Sequence, residues 1–213
     1  MPRWTDLEWL CIDTETTGVD PSADRIVELG AVQFRAGKVQ RRMGLLVNPG
    51  LPIPPDAVAV HGIRDEDVAG CPSLAQIADQ FLTHVREARV LIGYNWPFDA
   101  GMLEAGLGPG WRDAIAGKPV LDVLVVVRLD AVGRYWKGPG RHRLDAVAER
   151  LGVRRTGKAH RASSDCVLTC QILWHLREHL PEEADEAARF VAQERVRQDA
   201  DFAAWRDRQR PDA

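Results

Sequence analysis

Apolar residues in the first quarter of the chain form three runs of strand length. The runs cover residues 9–13, 26–34 and 39–47, and Gly37 and Lys38 lie between the second and the third. A short connection that contains glycine is typical of a β-hairpin, so the pattern predicts a meander of three strands. The proline-rich segment 48–58 that follows predicts an irregular loop, because proline cannot donate a backbone hydrogen bond.

The next part of the chain alternates between helical periods and short apolar runs. From Leu74 onward, apolar residues fall at i, i+3, i+4, i+7 and i+8, which predicts an amphipathic helix with Ser73 as its N-cap. Further strands are predicted at 90–94 and 120–122, and further helices at 97–106, 144–151 and 165–180. Together these elements predict an α/β fold, a mixed five-stranded sheet (the three-strand meander plus two further strands) flanked by helices.

The composition changes after Pro181, where the chain becomes charged and rich in alanine. We therefore expect a compact domain at 1–180 and a charged helical C-terminal extension at 181–213. Four apolar residues could contact the domain from this extension: Phe190, Val191, Phe202 and Trp205.

Other features of the composition bear on location and on bound metal. No apolar run reaches the roughly 18 residues that a membrane span needs, and the N-terminal residues lack the apolar core of a signal peptide. We expect a cytoplasmic protein with no membrane partner. The cysteines are Cys11, Cys71, Cys166 and Cys170. No second pair of ligands accompanies Cys166 and Cys170, so buried thiols are favoured over a zinc site.

Positive charge is concentrated in one part of the chain. The formal net charge is −3, but the segment 134–161 contains nine Lys or Arg residues and only two acids, Asp145 and Glu149. Such a local excess indicates an anionic partner. The alternative at this point is an ordinary solvated surface.

Asp13 and Glu15 are the first candidates for chemistry. They are separated only by Thr14, so on a strand their side chains point to the same side. Two like charges this close require either a retained proton or a bound cation. Mg²⁺ prefers oxygen ligands and commonly combines a few carboxylates with substrate phosphates.

Three later residues extend this set. Asp99 follows the predicted strand 90–94, and Asp165 lies at the start of a predicted helix with His160 five residues before it. Either acid could simply complement a helix dipole, and Ser163 or Ser164 could cap the later helix. If the acids converge, however, His160 is suited to take a proton near neutral pH.

These residues lie in segments that resemble three motifs of one family. "DTETTG", "NWPFD" and "HRASSD" occur in the order and spacing of the motifs of the DEDDh 3′→5′ exonucleases, the group of the proofreading epsilon subunit of bacterial DNA polymerase III. The segments "DRIVELGAVQF" and "RLDAVAERLGV" are also similar, and the resemblance covers about residues 7–179. It implies a ribonuclease H-like fold.

The resemblance also implies roles for individual residues. Four carboxylates would hold two Mg²⁺ or Mn²⁺ ions: those of Asp13, Glu15, Asp99 and Asp165. His160 would be the general base. Four residues would contact the terminal nucleotide: Thr16, His61, Asn95 and Phe98. In this context the basic segment would follow the nucleic-acid backbone, with Arg141 and Arg143 as candidate contacts.

The implied activity is hydrolysis of phosphodiester bonds from a free 3′ end of nucleic acid, with DNA favoured and nucleoside 5′-monophosphates as products. An exonuclease that trims RNA is the main alternative. A non-catalytic relative that binds nucleic acid or a partner is less favoured because all four acids and the histidine are present. An aspartate-nucleophile phosphohydrolase is disfavoured because Glu15 is the second acid of the pair. The C-terminal extension is a candidate surface for a DNA polymerase or for self-association.

Overall fold

A five-stranded sheet with the order β3-β2-β1-β4-β5 organises the computed structural model, which describes residues 3–209. The strands are β1 (Trp9–Thr16), β2 (Ile26–Arg35), β3 (Lys38–Leu46), β4 (Val90–Gly93) and β5 (Val120–Asp122). β1, β2 and β3 pair antiparallel, whereas β4 pairs parallel with β1 and β5 pairs parallel with β4. The predicted mixed sheet, a three-strand meander plus two further strands, is confirmed.

Helices cover both faces of this sheet. The α-helices in the described part of the chain are α1 (Pro55–His61), α2 (Asp65–Val68), α3 (Leu74–Glu87), α4 (Trp96–Leu107), α5 (Pro109–Ile115), α6 (Val123–Val127), α7 (Leu144–Leu151), α8 (Ala162–His175) and α9 (Ala184–Gln209). The predicted start of α3 is confirmed: the backbone N–H of Ser73 donates to Oε1 of Gln76 at 2.8 Å, as in a capping box.

The boundaries of β1, β2, β3 and β4 differ from the prediction by one to three residues. β1 continues to Thr16 instead of ending at Asp13, so both Asp13 and Glu15 lie within the strand. In the hairpin, Ala36 and Gly37 are the two residues with positive φ, at 48° and 78°. A two-residue turn with positive φ at both positions matches the twist of the paired strands. The turn therefore lies one residue closer to the N-terminus than predicted.

The prediction of an irregular loop at 48–58 was wrong for its last residues, because α1 begins at Pro55. Proline is favoured in the first turn of a helix, where its missing N–H would have no partner within the helix. The helix ends at Gly62, which adopts the left-handed conformation with φ 73°.

The prediction for α8 was wrong at both ends. The helix begins at Ala162 and ends at His175, and a separate 3₁₀ turn covers Arg177–His179. Ser163 and Ser164 lie inside the first turn rather than at the cap. The cap comes from another strand, because the N–H of Ala162 donates to Oε2 of Glu28 at 3.1 Å. A sequence pattern shows only local caps, so it could not reveal this one.

Alternation along β1 sends side chains into two cores. Trp9 and Cys11 pack on one face with α6, α7, α8 and α9, whereas Leu10 and Ile12 pack on the other face with α3, α4 and α5. Cys11, Cys166 and Cys170 are buried free thiols, as expected, and Cys71 is half-buried.

A glycine in β2 allows α8 to approach the sheet closely. The strand register places Gly30 beside Asp13 of β1. A Cβ atom at Gly30 would lie 2.4 Å from the backbone carbonyl carbon of Ala162, which is far inside contact distance. The missing side chain therefore lets the first turn of α8, with Asp165, lie on the same face as Asp13.

Helix α9 follows the domain and packs against it in its first half. Ala187 and Val191 are buried in the core, and Phe190 is partly buried against it. Phe202 and Trp205, by contrast, are exposed, so they do not contact the domain core. The division of the chain at residue 180 stays a prediction. Within residues 3–209, no helix combines the length and apolar character needed to cross a bilayer.

We predict that Gly30→Ala destabilises the protein by about 1–3 kcal/mol, the usual cost of overpacking, because the new methyl group meets the backbone of α8. Urea denaturation measures the change in the free energy of unfolding. The same variant is expected to lose the effect of divalent ions on the melting temperature, since Asp165 moves away from Asp13.

Gly101→Ala is the matched control. It lies within α4, and the nearest atom to its new Cβ, Cγ of Pro21, is 3.6 Å away. Alanine is favoured over glycine in a helix, so this variant should gain about 0.5–1 kcal/mol. Equal stability of the two variants would contradict the close approach of α8 to β2.

Candidate active site

The centre of the candidate site is the end of β1 that extends past β4. Cys11 is the last residue of β1 that pairs with β4, opposite Ile92. Side chains alternate along the strand, so Asp13 and Glu15 lie on the face of Trp9 and Cys11, beneath α8. The predicted orientation of the two acids on one side of the strand agrees with this register.

Asp99 reaches the same place from α4. The chain turns sharply after β4 at Asn95, which adopts the left-handed conformation with φ 66°. Asp99 follows in the first turn of α4 and is buried. Its Oδ1 accepts hydrogen bonds from the N–H and the hydroxyl of Thr14, each at 2.8 Å. These bonds fix the carboxylate of Asp99 beside β1.

Asp165 and His160 come from the start of α8. Possible ligand atoms of Glu15, His160 and Asp165 all lie within 4.8 Å of one another. His160 is exposed, and its backbone has φ 54°, an uncommon conformation for a residue other than glycine. The turn at His160 directs the chain from the surface into α8.

Burial and mutual repulsion disfavour the charged forms of these acids. Burial, followed by the carboxylates of Asp99 and Asp165, raises the pKa of Asp13 well above its ordinary value. Burial and the neighbouring Asp165 likewise raise the pKa of Glu15 to about 8. Burial raises the pKa of Asp99 to about 7, although the hydrogen bonds from Thr14 lower it. The pKa of Asp165 is also raised, mainly by burial.

This arrangement fits a hard divalent cation. The four carboxylates supply oxygen ligands and excess negative charge, which is the donor chemistry that Mg²⁺ and Mn²⁺ accept. A bound cation would favour the charged forms of these acids and so oppose the effects of burial and repulsion on their pKa values. The group Glu15, His160 and Asp165 could hold a metal ion by the spacing of its ligand atoms.

Sequence reasoning missed a basic residue in the site, Arg155. Its guanidinium donates to Oδ1 of Asp165 and, at 2.5 Å, to Oδ1 of Asp145. This contact opposes the effect of burial on the pKa of Asp165. No sequence signal distinguishes Arg155 from the other basic residues around it.

A second group that the sequence did not reveal anchors the N-terminus of α8. Glu28 is buried in β2, and it accepts from Arg161 at 3.1 Å as well as from Ala162. From β3, the side chain of Arg42 donates to the hydroxyls of Ser163 and Ser164, at 3.0 Å and 2.6 Å. The sequence did contain an indication that Glu28 is important, because it is the single acidic residue of a mostly apolar strand.

Asp122, at the end of β5, anchors the start of α4 in the same way. Its carboxylate accepts from the backbone N–H groups of Asn95 at 3.0 Å and Trp96 at 2.8 Å. Arg195 of α9 forms an ion pair with this carboxylate. Asp122 therefore links α4, which carries Asp99, to the C-terminal helix.

The residues implied to contact a terminal nucleotide occupy different environments. Thr16 is buried and donates from Oγ1 to the carbonyl of Gly18 at 2.6 Å. His61 is buried, and its Nδ1 accepts from the N–H of Ile63 at 3.0 Å, while its Nε2 makes no hydrogen bond with a described residue. Asn95 is exposed, and Phe98 is half-buried near Asp99 in α4.

The basic segment 134–161 is not one uniform surface. Arg155 and Arg161 pair with acids of the site, and Arg134 pairs with Asp130 and Asp201. Arg141 and Arg143 are exposed and form no ion pair with a described residue. Only part of this segment is therefore free to contact an external anion.

The sheet order and the grouped acids place the chain among the ribonuclease H-like proteins. A family model described as Exonuclease (RNase_T) matches residues 10–173. The chain belongs to this exonuclease family.

Two relatives show how far the similarity extends. The DNA polymerase III subunit epsilon of Rickettsia felis is 33% identical over 175 residues, which cover 79% of this chain and 73% of that protein. A DNA polymerase III subunit epsilon-like protein of Rhodobacter capsulatus is 35% identical over 178 residues. That match covers 80% of this chain but only 24% of the relative, so the chain spans about a quarter of its length.

Solved structures share the fold. The structure of Exonuclease X in complex with 5′ overhanging duplex DNA has a TM-score of 0.65 and 24% identity, covering 86% of this chain and 99% of that chain. A structure of Exonuclease I without ligand has a TM-score of 0.69 and 18% identity, covering 81% of this chain and 42% of that chain. At sequence identities of 18% and 24%, the similarity to these two structures shows a shared fold and nothing more.

We predict that the metal-free protein loses stability as the pH rises from about 4.5 to about 8, the ordinary and folded pKa values of Glu15. In this range the folded state retains protons that the unfolded chain has released, so rising pH favours unfolding. Asp13→Asn should reduce this slope and raise the melting temperature at pH 8, by about 2–4 °C per kcal/mol of relieved repulsion. Calorimetry in EDTA measures both effects.

Asp113→Asn is the control, because Asp113 is an exposed acid of α5 outside the site. It should change neither the slope nor the melting temperature. Added Mg²⁺ should stabilise the unaltered chain and Asp113→Asn more than Asp13→Asn. A lower melting temperature of Asp13→Asn in EDTA at pH 8 would mean that Asp13 has a structural role instead.

Proposed function

We propose that the protein is a metal-dependent 3′→5′ exonuclease that hydrolyses phosphodiester bonds of nucleic acid. The observation that carries this proposal is that Glu15, Asp165 and His160 have ligand atoms within 4.8 Å of one another, while Asp99 lies close enough to raise the pKa values of Asp13 and Glu15. The metal ligands are Asp13, Glu15, Asp99 and Asp165, and the ions are two Mg²⁺ or Mn²⁺. When bound, such ions polarise the scissile phosphate and lower the pKa of water.

The chain's own residues supply positioning and proton transfer. Thr14 holds the carboxylate of Asp99 through two hydrogen bonds of 2.8 Å. His160 is exposed, and a ring nitrogen lies within 4.8 Å of carboxylate oxygens of Glu15 and Asp165. It can therefore accept a proton from the attacking water and release it to solvent, a step worth roughly 10²–10⁴ in rate.

Substrate contacts in this proposal come from residues around the acids. The Nε2–H of His61 is buried and has no partner among the described residues, so a hydrogen bond donated to a nucleotide oxygen would satisfy it. Phe98, in the first turn of α4, offers an apolar surface for a terminal base. Thr16, Asn95, Arg141 and Arg143 complete the proposed substrate contacts.

The proposed substrate is DNA with a single-stranded or frayed 3′ end. Support comes from relatives named DNA polymerase III subunit epsilon, to which the chain is 31–33% identical in the matches from Rickettsia felis and Treponema pallidum, and from the subunit epsilon-like protein of Rhodobacter capsulatus at 35%. Association with a polymerase is part of this proposal, and residues 181–213 are the segment available for it.

We predict that His160→Ala lowers kcat by about 10²–10⁴ without loss of fold. Release of mononucleotides from a 3′-labelled single strand with Mg²⁺ measures the activity. The melting temperature should still rise on addition of Mg²⁺, because the four carboxylates remain.

His175→Ala serves as the control, since His175 is an exposed histidine at the far end of the same helix. It should keep full activity. Near-full activity of His160→Ala would remove His160 from the proposed mechanism while leaving the metal ligands in place.

We expect single-stranded DNA to be degraded faster than RNA of the same sequence, and a mismatched duplex end faster than a matched one. Parallel digests with Mg²⁺ and with Mn²⁺ measure these rates. Preferential digestion of RNA would contradict the DNA proposal, since only the 2′-hydroxyl differs along the backbone.

A further inference from the structure

A basic cavity lies beside the candidate active site and outside its carboxylates. It has a volume of about 450 Å³ and is lined by Asn95, by the segment after α6 and by α9. Four arginines and two aspartates face it. Asn95 is the residue from which α4, with Asp99, begins. The cavity is therefore a neighbour of the proposed catalytic centre.

Ion pairs hold the walls of this cavity in place. Arg134 donates to Oδ2 of Asp201 at 2.7 Å, which joins the segment after α6 to α9. Arg195 is bound by Asp122. The hydroxyl of Tyr94 donates to the carbonyl of His142 at 2.5 Å, which fixes the same segment to the end of β4. The walls are thus pre-formed rather than left to order on binding.

Two cations of the cavity remain available. Arg128 is half-buried and forms no ion pair or side-chain hydrogen bond with any residue that the structure describes. Burial, together with the nearby charge of Arg195, lowers the pKa of this guanidinium, and the nearby carboxylates of Asp122 and Asp199 oppose this effect. Arg141 is exposed and also free of ion pairs within residues 3–209. A half-buried guanidinium that no carboxylate contacts directly is suited to a phosphate group.

An exposed aromatic pair continues this surface along α9. Phe202 lines the cavity, and its ring stacks on that of Trp205 with centroids 5.8 Å apart and an interplanar angle of 17°. The two side chains are 57% and 51% exposed. Arg206 lies over the ring of Phe202 at 5.2 Å. Arginines without an ion pair, followed by exposed aromatic rings, match the alternation of phosphates and bases in a single strand.

We infer that the cavity, with the Phe202–Trp205 pair, is a binding groove for single-stranded nucleic acid that leads its 3′ end to the carboxylates. Arg128 and Arg141 contact backbone phosphates, and Trp205 offers its outer face to a base. This inference rests on the proposed nuclease function. It assigns to the C-terminal helix a direct contact with the substrate.

Equilibrium binding of a labelled thymidine oligomer of about 15 nucleotides, in EDTA to prevent cleavage, tests the groove. Arg128→Gln should weaken binding about tenfold and reduce the slope of log Kd against log salt by about 0.7, the value for one phosphate contact on a single strand. Trp205→Ala should weaken binding by a similar factor, about tenfold, without changing that slope.

Two substitutions away from the cavity are matched controls. Arg112→Gln removes an exposed arginine of α5, and Val196→Ala removes an exposed apolar side chain of α9 itself, 69% exposed. Both should bind the oligomer as the unaltered chain does. If Arg128→Gln fails to fold, Trp205→Ala decides alone, because its side chain is exposed and its removal leaves no cavity.

Hydrolysis of p-nitrophenyl thymidine 5′-monophosphate in the presence of Mg²⁺ separates the two proposals, since this ester has one phosphate and needs the proposed catalytic centre but not the groove. Ester hydrolysis with unchanged oligomer binding in Arg128→Gln and Trp205→Ala overturns the groove and leaves the nuclease. Weakened oligomer binding in these variants supports the groove, and absence of ester hydrolysis by the unaltered chain then counts against the nuclease alone.

Discussion

Repulsion among four carboxylates is the constraint around which the site is built. Two unit charges about 5 Å apart repel by about 3 kcal/mol at an effective dielectric constant near 20, and burial adds a desolvation cost for each. The raised pKa values of Asp13, Glu15 and Asp99 reflect this cost. Favourable packing elsewhere in the protein must offset this cost. At Gly30, the close contact between α8 and the sheet lies directly beside the charged residues.

Ion pairs around the site stabilise the helices that carry the acids. Glu28 and Arg161 fix the start of α8, and Asp122 fixes the start of α4 through two backbone N–H groups. Breaking such a buried pair is costly because one charge remains without a partner. The supporting residues are therefore as necessary to the geometry as the proposed metal ligands, although they lie outside the proposed substrate contacts.

The sequence was sufficient for the sheet, because period-two and helical patterns report local burial directly, and for the placement of Asp13 and Glu15 on one side of β1. It was insufficient where the partner of a residue is distant in the chain. The cap of α8 comes from Glu28, 134 residues away, and the ion pair of Asp122 comes from Arg195, 73 residues away. The start of α1 was missed for a different reason: proline was treated as a breaker although it is favoured in a first turn.

The position of α9 relates the two proposals to each other. Its first half is buried in the core at Ala187 and Val191, and Arg195 reaches the carboxylate that holds α4. A strand bound at Trp205 would therefore lie on the same helix whose Arg195 pairs with Asp122, the residue that fixes the start of α4. In these proposals the carboxylates perform the hydrolysis, so a preference among substrates would come from surfaces outside them. The arginines and aromatic rings at α9 are the surface to which the second proposal assigns this contact.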